Sequence, residues 1–191
     1  SNNGTTWTQV NASYNNGNGA AKGLTLNSNA LFAVDGQGKI YSSSNSGVTW
    51  ILKNSGYGRT SDTQDMFSDN FGNLYIISNS NKEVWKSSDN GVTWTNVNDT
   101  FSNLGLLAGG SDSNYIYAIA GTSAGKVFRS SNNGTTWTLI NDSYNGGNGA
   151  AKGLTKLAFN TNLTFQVRNC SLSDCSDGSF INTGNNINLI G

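Results

Sequence analysis

The chain of 191 residues contains no histidine, no proline and a single glutamate, Glu83. Lacking histidine, it has neither the commonest general base near neutral pH nor the commonest metal ligand. Charged residues make up only 12% of the sequence, roughly half the usual share. The formal net charge is zero, so no overall field recruits nucleic acid or anionic lipid. The arginines, Arg59, Arg129 and Arg168, are far apart and no basic run exists. No apolar run approaches the length of a membrane span, and none reads as a signal peptide. Neither a nucleic-acid partner nor membrane insertion is expected.

Cysteine is almost absent. Cys170 and Cys175 lie in Asn-Cys-Ser-Leu-Ser-Asp-Cys, and their spacing allows a small local disulfide, which is expected over free thiols. A protein-only metal site would need further Cys or His ligands, so neither a metal nor another cofactor is expected. Asn, Ser, Thr and Gly take the place of the missing charges, a composition that points to the outside of a cell. Asn-x-Ser/Thr occurs at Asn3, Asn11, Asn98, Asn133, Asn141, Asn162 and Asn169. With asparagine this abundant, composition alone yields about that many, so the sequons carry no information.

What the chain does have is a repeat. Ser1-Asn-Asn-Gly-Thr-Thr-Trp7, Ser44-Asn-Ser-Gly-Val-Thr-Trp50, Ser88-Asp-Asn-Gly-Val-Thr-Trp94 and Ser131-Asn-Asn-Gly-Thr-Thr-Trp137 recur every 43 or 44 residues. A period of about 40 to 50 residues is that of a β-propeller blade, which cannot bury its hydrophobic face alone. Each unit holds four short runs rich in β-branched and aromatic residues, separated by Gly, Asn, Asp and Ser. The second run (Ala30–Val34, Asn73–Ile77, Tyr115–Ala120) is nearly all apolar, as a strand covered on both faces would be. In the third run Ile40, Val84 and Val127 share one face, and Tyr41, Trp85 and Phe128 the other. The expected fold is all-β, a propeller of four-stranded blades with about three full blades and partial ones.

The repeated motif resembles the Asp-box, or bacterial neuraminidase repeat, Ser-x-Asp-x-Gly-x-Thr-Trp. Ser87 to Trp94 match it throughout; Asn2, Asn45 and Asn132 stand where the other copies would have Asp. The residue types suit a tight hairpin between third and fourth strands. Asp89 or its Asn counterparts accept backbone N–H bonds across the turn. Gly4, Gly47, Gly91 and Gly134 supply positive φ. Trp7, Trp50, Trp94 and Trp137 each offer the core a large apolar face with an N–H for one partner. These are read as structural residues, because in families carrying the box it lies on the blade periphery, away from the active face.

Residues 1–25 and 131–155 agree at 21 of 25 positions, an offset of three units. This looks like duplication within a larger array. The shared Asn/Gly loop, Asn15 to Gly19 and Asn145 to Gly149, is expected to be a flexible connection. A phosphate-binding loop would need Gly-Lys-Ser/Thr, which is missing. The chain starts inside a repeat and is therefore expected to be a piece of a longer protein. Residues 1–157 are assigned to blades. Residues 158–191 either open a β-sandwich module, as in bacterial surface proteins, or finish a last blade whose fourth strand is residues 4–11.

Propellers with Asp-boxes include sialidases, xyloglucan hydrolases, sorting receptors and photosystem assembly factors, so the fold does not choose a function. The resemblance to sialidases implies an arginine triad with an Arg-Ile-Pro motif and a Tyr/Glu pair, but there is no proline. Glu83 stands where Lys39 and Lys126 stand in their units, a place for an exposed polar residue. Paired carboxylates among Asp62, Asp65, Asp69 and Asp112 would suit another glycosidase, although Asp69 and Asp112 sit in turn-forming sequences. The expected function is therefore a non-catalytic extracellular binding or spacer module, its partner a glycan or protein at the cell surface. The alternative is a fragment of a sialidase-like or xyloglucanase-like hydrolase.

Overall fold

The computed structural model describes residues 4–16, 19–59, 61–98, 101, 104–121, 125–143, 154, 166–168 and 180–182. Asn2, Cys170 and Cys175 lie outside them. Three four-stranded antiparallel sheets follow one another along the chain, each with its strands in sequence order. The first contains β1 (Ala21–Asn27), β2 (Ala30–Asp35), β3 (Ile40–Ser43) and β4 (Ile51–Asn54). The second contains β5 (Thr63–Ser68), β6 (Leu74–Ser78), β7 (Val84–Ser87) and β8 (Thr95–Asn98). The third contains β9 (Leu106–Ser111), β10 (Ile116–Ala120), β11 (Lys126–Ser130) and β12 (Thr138–Asn141). In the tail, β13 (Gln166–Arg168) pairs with β14 (Phe180–Asn182).

The apolar second runs account for the stacking. Every residue of β6 and β10 is buried, and β6 lies between the two neighbouring sheets. One core joins Phe32, Val34 and Ile40 of the first sheet to Met66, Leu74 and Ile76 of the second. Another joins Phe67, Tyr75, Ile77 and Val84 to Leu106, Ile116, Ala118 and Ala120. Alternation along the strands of the second sheet thus feeds two cores, each shared with a neighbouring sheet. The innermost strands β1, β5 and β9 lie side by side. There Gly23 and Gly109 let the sheets close up: a Cβ on Gly23 would lie 2.4 Å from Met66 N, and one on Gly109 2.2 Å from the Phe67 ring.

The opposite face of the first sheet is open along β1. Leu24 and Leu26 are 62% and 59% exposed, whereas Met66 and Ser68 at the matching positions of β5 are 2% and 1% exposed. Residues 4–16 run past this sheet without forming a strand among the described residues. At the two ends of the Asn15 to Gly19 stretch, Asn15 is buried and its Nδ2 donates to Gly19 O at 2.9 Å; the copy from Asn145 to Gly149 lies outside the described residues.

Candidate functional site

Each of the three repeated motifs that lie wholly within the described residues forms a loop, longer than the tight hairpin expected. In the second sheet β7 ends at Ser87 and β8 begins at Thr95, so Thr93 and Trp94 belong to the loop and not to the fourth strand. Ser87 Oγ donates to Asp89 Oδ1 at 2.8 Å and accepts Gly91 N at 2.9 Å. Asp89 Oδ1 accepts Thr93 N at 2.8 Å, and Trp94 Nε1 closes the loop on Gly91 O at 3.2 Å. The copies with asparagine fold the same way: Thr49 N reaches Asn45 Oδ1, and Thr136 N reaches Asn132 Oδ1, both at 2.9 Å. Only the threonine hydroxyl changes direction. It donates to the Asp89 carboxylate but accepts the amide of Asn45 and Asn132, at 2.8 Å each. Trp50 and Trp137 donate to Gly47 O and Gly134 O, both at 2.9 Å. Gly4, Gly47, Gly91 and Gly134 all have φ between 81 and 86°.

These loops also fasten one sheet to the one before it. A Cβ on Gly91 would touch Ile40 of the first sheet, and one on Gly134 would touch Val97 of the second, each at 3.2 Å. At the ends of β4 and β8 an asparagine reaches the next loop: Asn54 Nδ2 donates to Val92 O at 2.7 Å and Asn98 Nδ2 to Thr135 O at 3.1 Å. Asn11 does the same to Val48 O at 2.9 Å.

An aromatic side chain seven positions after the tryptophan completes each joint. Tyr14 packs on Tyr41 and Trp50, Tyr57 on Trp85 and Trp94, and Phe101 on Phe128 and Trp137, with ring centroids 4.9–6.2 Å apart. The sequence reading missed these three residues, although their fixed spacing from the motif was visible. Trp7 departs from the others and from expectation: it is 90% exposed, because no sheet among the described residues precedes it to supply the packing surface.

Burial works against the Asp89 charge, but bonds from Thr93, Ser87 and Val92 outweigh it and hold the carboxyl down at about 2. Asp89→Asn should still change stability at pH 7 by less than about 0.5 kcal/mol, because the side chain is partly exposed to solvent and two neighbouring loops make the same backbone bond with Asn. Asp89→Ala removes the acceptor and costs about 1–2 kcal/mol. Urea denaturation of both variants measures the difference.

Glu83 was expected to be exposed, yet it is 5% exposed. The linker between the first two sheets carries Arg59 over the start of β7, and Arg59 Nε donates to Glu83 Oε2 at 2.8 Å while Nη2 pairs with Oε1. Trp85 Nε1 adds a bond at 3.0 Å. The Arg59 hydrogen bond holds the Glu83 carboxyl below its ordinary value despite burial.

The candidate aspartates are taken up by the fold. Asp62 Oδ2 accepts Ser78 Oγ at 2.6 Å, Ser80 N at 2.7 Å and Asn81 N at 3.0 Å, fixing the turn between β6 and β7. Asp69 accepts the amides of Phe71 and Asn73 at 2.9 Å and the Tyr75 hydroxyl at 3.0 Å. Asp112 accepts Asn114 N at 2.8 Å, Tyr115 N at 2.7 Å and the Tyr117 hydroxyl at 2.6 Å. Asp65 receives Gly109 N across the inner strands at 3.1 Å and Met66 N at 2.8 Å.

Burial pushes the Asp65 carboxyl up to about 6, against those two N–H bonds. A raised folded-state value means that the stability linked to the neutral form is complete below pH ~4 and is lost as pH rises through 6. Between those limits wild-type stability should fall by about 2 kcal/mol on account of this group. Asp65→Asn should flatten that slope, as read from denaturation midpoints at pH 4, 5, 6 and 7. An unchanged slope would contradict the assignment.

Asp69 and Asp112 do meet at one place. A cleft of about 410 Å³ opens between the second and third sheets, on the side of the Thr-Trp loops. Asp69, Phe71, Lys86, Asp112, Asn114 and Asn133 are among its lining residues. Among the described residues no group of three His, Cys, Asp or Glu side chains is placed to hold a metal ion, and no helix is long and apolar enough to cross a membrane.

Known structures share this architecture. YCF48 bound to D1 peptide is similar at 20% identity with a TM-score of 0.50, over 63% of this chain and 39% of that one. YCF48 from Cyanidioschyzon merolae is similar at 18% identity with a TM-score of 0.50, over 63% of this chain and 36% of that one. The Nidogen/Laminin complex gives 16% identity and a TM-score of 0.57, over 78% of this chain and 56% of that one. The chain thus spans between about a third and just over half of the chains it resembles, and identities this low speak for the fold alone. No curated protein matches. Residues 3–147 match the family model of the DUF6242 beta propeller domain, so the stacked four-stranded sheets are those of a β-propeller and the chain belongs to that family.

Proposed function

We propose that this chain is part of a non-catalytic extracellular propeller, a binding or spacer module of a surface or secreted protein, and that its Thr-Trp loops are Asp-boxes. The observation that carries the reading is the use made of the acidic side chains. Asp35, Asp62, Asp65, Asp69, Asp89 and Asp112 each accept backbone N–H bonds in turns or between strands. Glu83 and Asp142 are paired with Arg59 and Lys126. A glycosidase needs two carboxylates free to exchange protons with substrate or water, whereas the acidic side chains among the described residues are engaged within the fold.

The two arginines with described side chains argue the same way. Arg59 is engaged by Glu83, and Arg129 lies 4.2 Å from the centre of the Tyr115 ring, so they do not converge on a ligand carboxylate. Two structures of similar fold, YCF48 with the D1 peptide and the Nidogen/Laminin complex, are assemblies with a peptide or protein partner, which favours binding over catalysis here. The low charge and the abundance of Asn, Ser, Thr and Gly favour an extracellular setting. The intact protein should leave a fluorogenic sialoside and xyloglucan oligosaccharides unhydrolysed. Release of product above the rate of buffer alone would favour the hydrolase reading.

A further inference from the structure

The cleft between the second and third sheets has features that folding does not require. Where the first two sheets meet, Asn27 Nδ2 bridges them directly, to Gly72 O at 2.9 Å and Asn90 Oδ1 at 3.5 Å. One sheet further on, Asp69 stands in place of Asn27 and Asn133 in place of Asn90. The link there runs through a side chain from β6: the Tyr75 hydroxyl sits 3.0 Å from Asp69 and 3.2 Å from Asn133 Oδ1. The interposed tyrosine spaces the two sites apart, and the longer turns 69–73 and 112–115 wall the gap that results.

Three side chains are turned to this gap with no internal task. Phe71 lies on the cleft and is 76% exposed, although the turn that bears it is fixed at both ends by Asp69 Oδ1, which accepts Phe71 N and Asn73 N. Lys86 lines the cleft, and neither its ammonium group nor the side-chain amide of Asn114 has a partner among the described residues. An exposed aromatic ring on a braced turn is pre-organised for a flat apolar surface, and fixing it in advance lowers the ordering cost of binding. Amides and an ammonium beside it supply hydrogen-bond donors. Such a concave site, with an apolar platform and a few convergent polar groups, has the general form of a small-ligand site, and its volume is at the lower end of that class.

We propose that this cleft is a carbohydrate subsite that takes a neutral hexose or N-acetylhexosamine residue. The C–H face of the sugar rests on Phe71, and its hydroxyls meet Asn114 and Lys86. A neutral polyol fits better than an anion, because the Asp69 and Asp112 carboxylates border the same space. The proposal rests on the reading of the chain as a binding module and adds the class of ligand and its place.

The test is saturation-transfer NMR and fluorescence-polarisation titration of the intact protein with labelled xyloglucan, cellulose-derived, galactan and chitin oligosaccharides. At least one should bind. Phe71→Ala and Asn114→Ala should each weaken it about ten-fold or more with an unchanged melting temperature, because both side chains are exposed. Leu52→Ala, an exposed apolar change on β4, should leave binding unaltered. If no oligosaccharide binds, or if Phe71→Ala and Asn114→Ala bind as the wild type does, the proposal is wrong. In the second case the binding-module reading survives with its site elsewhere; cleavage of any oligosaccharide would overturn that reading instead.

Discussion

Trp94→Ala should lower the free energy of unfolding by about 3–5 kcal/mol, the range for a large aromatic removed from a packed site. Trp94 sits at the joint between two sheets, against the core built from Phe32, Val34, Ile40, Leu74 and Ile76. Its ring lies 6.2 Å from that of Tyr57, and its N–H closes the loop on Gly91 O. Truncation opens a cavity where two sheets meet, and neither can collapse into it without losing its own pairing. Trp7→Ala is the internal control. Its side chain is 90% exposed, so the same substitution there should cost less than about 0.5 kcal/mol. Guanidinium denaturation of the two variants side by side decides the matter. Equal losses would mean that the tryptophans act within their own loops and do not fasten one sheet to the next.

The second large effect is expected at Gly23. A methyl group there would lie 2.4 Å from Met66 N and 2.7 Å from Met66 Cβ. The obstacle includes backbone, which a rotamer change cannot move, so β1 and β5 must separate. Separation disturbs the Ser68 Oγ bond to Leu26 O at 2.7 Å and that from Thr25 Oγ1 at 3.1 Å. Overpacking of this kind costs about 3 kcal/mol. Gly36→Ala should be mild by comparison, because the nearest atom is the end of a lysine side chain, Lys22 Cε at 3.5 Å. A Gly23→Ala protein with the wild-type melting temperature would show that the inner strands are not in close contact in solution.

Much of the architecture was legible because it repeats. The period, the four runs per unit and the alternation of Ile40, Val84 and Val127 with Tyr41, Trp85 and Phe128 follow from residue types at fixed spacing. Interactions confined to one loop were legible too: a serine, an Asp or Asn, a glycine and a Thr-Trp pair can satisfy one another only within hydrogen-bond reach along the chain. The joints were harder to see. Tyr14, Tyr57 and Phe101 lie in linkers, where sequence reasoning expects no packing, and their partners belong to third strands and to the loops that follow. Glu83 misled because matching positions in the other units hold lysine. Its burial depends on Arg59, in a linker where Asn16 and Asn103 stand at the same spacing from the preceding tryptophan in the other units.

The sequence by itself determined the unit: a four-strand sheet with a self-bonded loop, copied at a fixed period, using local hydrogen bonds and side-chain alternation that need no distant partner. Only the tertiary structure decided what lies between units. Whether a tryptophan is packed like Trp94 or bare like Trp7 depends on a neighbouring sheet. Whether a gap is bridged, as at Asn27, or opened, as at Asp69 and Tyr75, depends on side chains more than forty residues apart. Those contacts are set by how whole sheets stack, and stacking is not encoded in any one repeat.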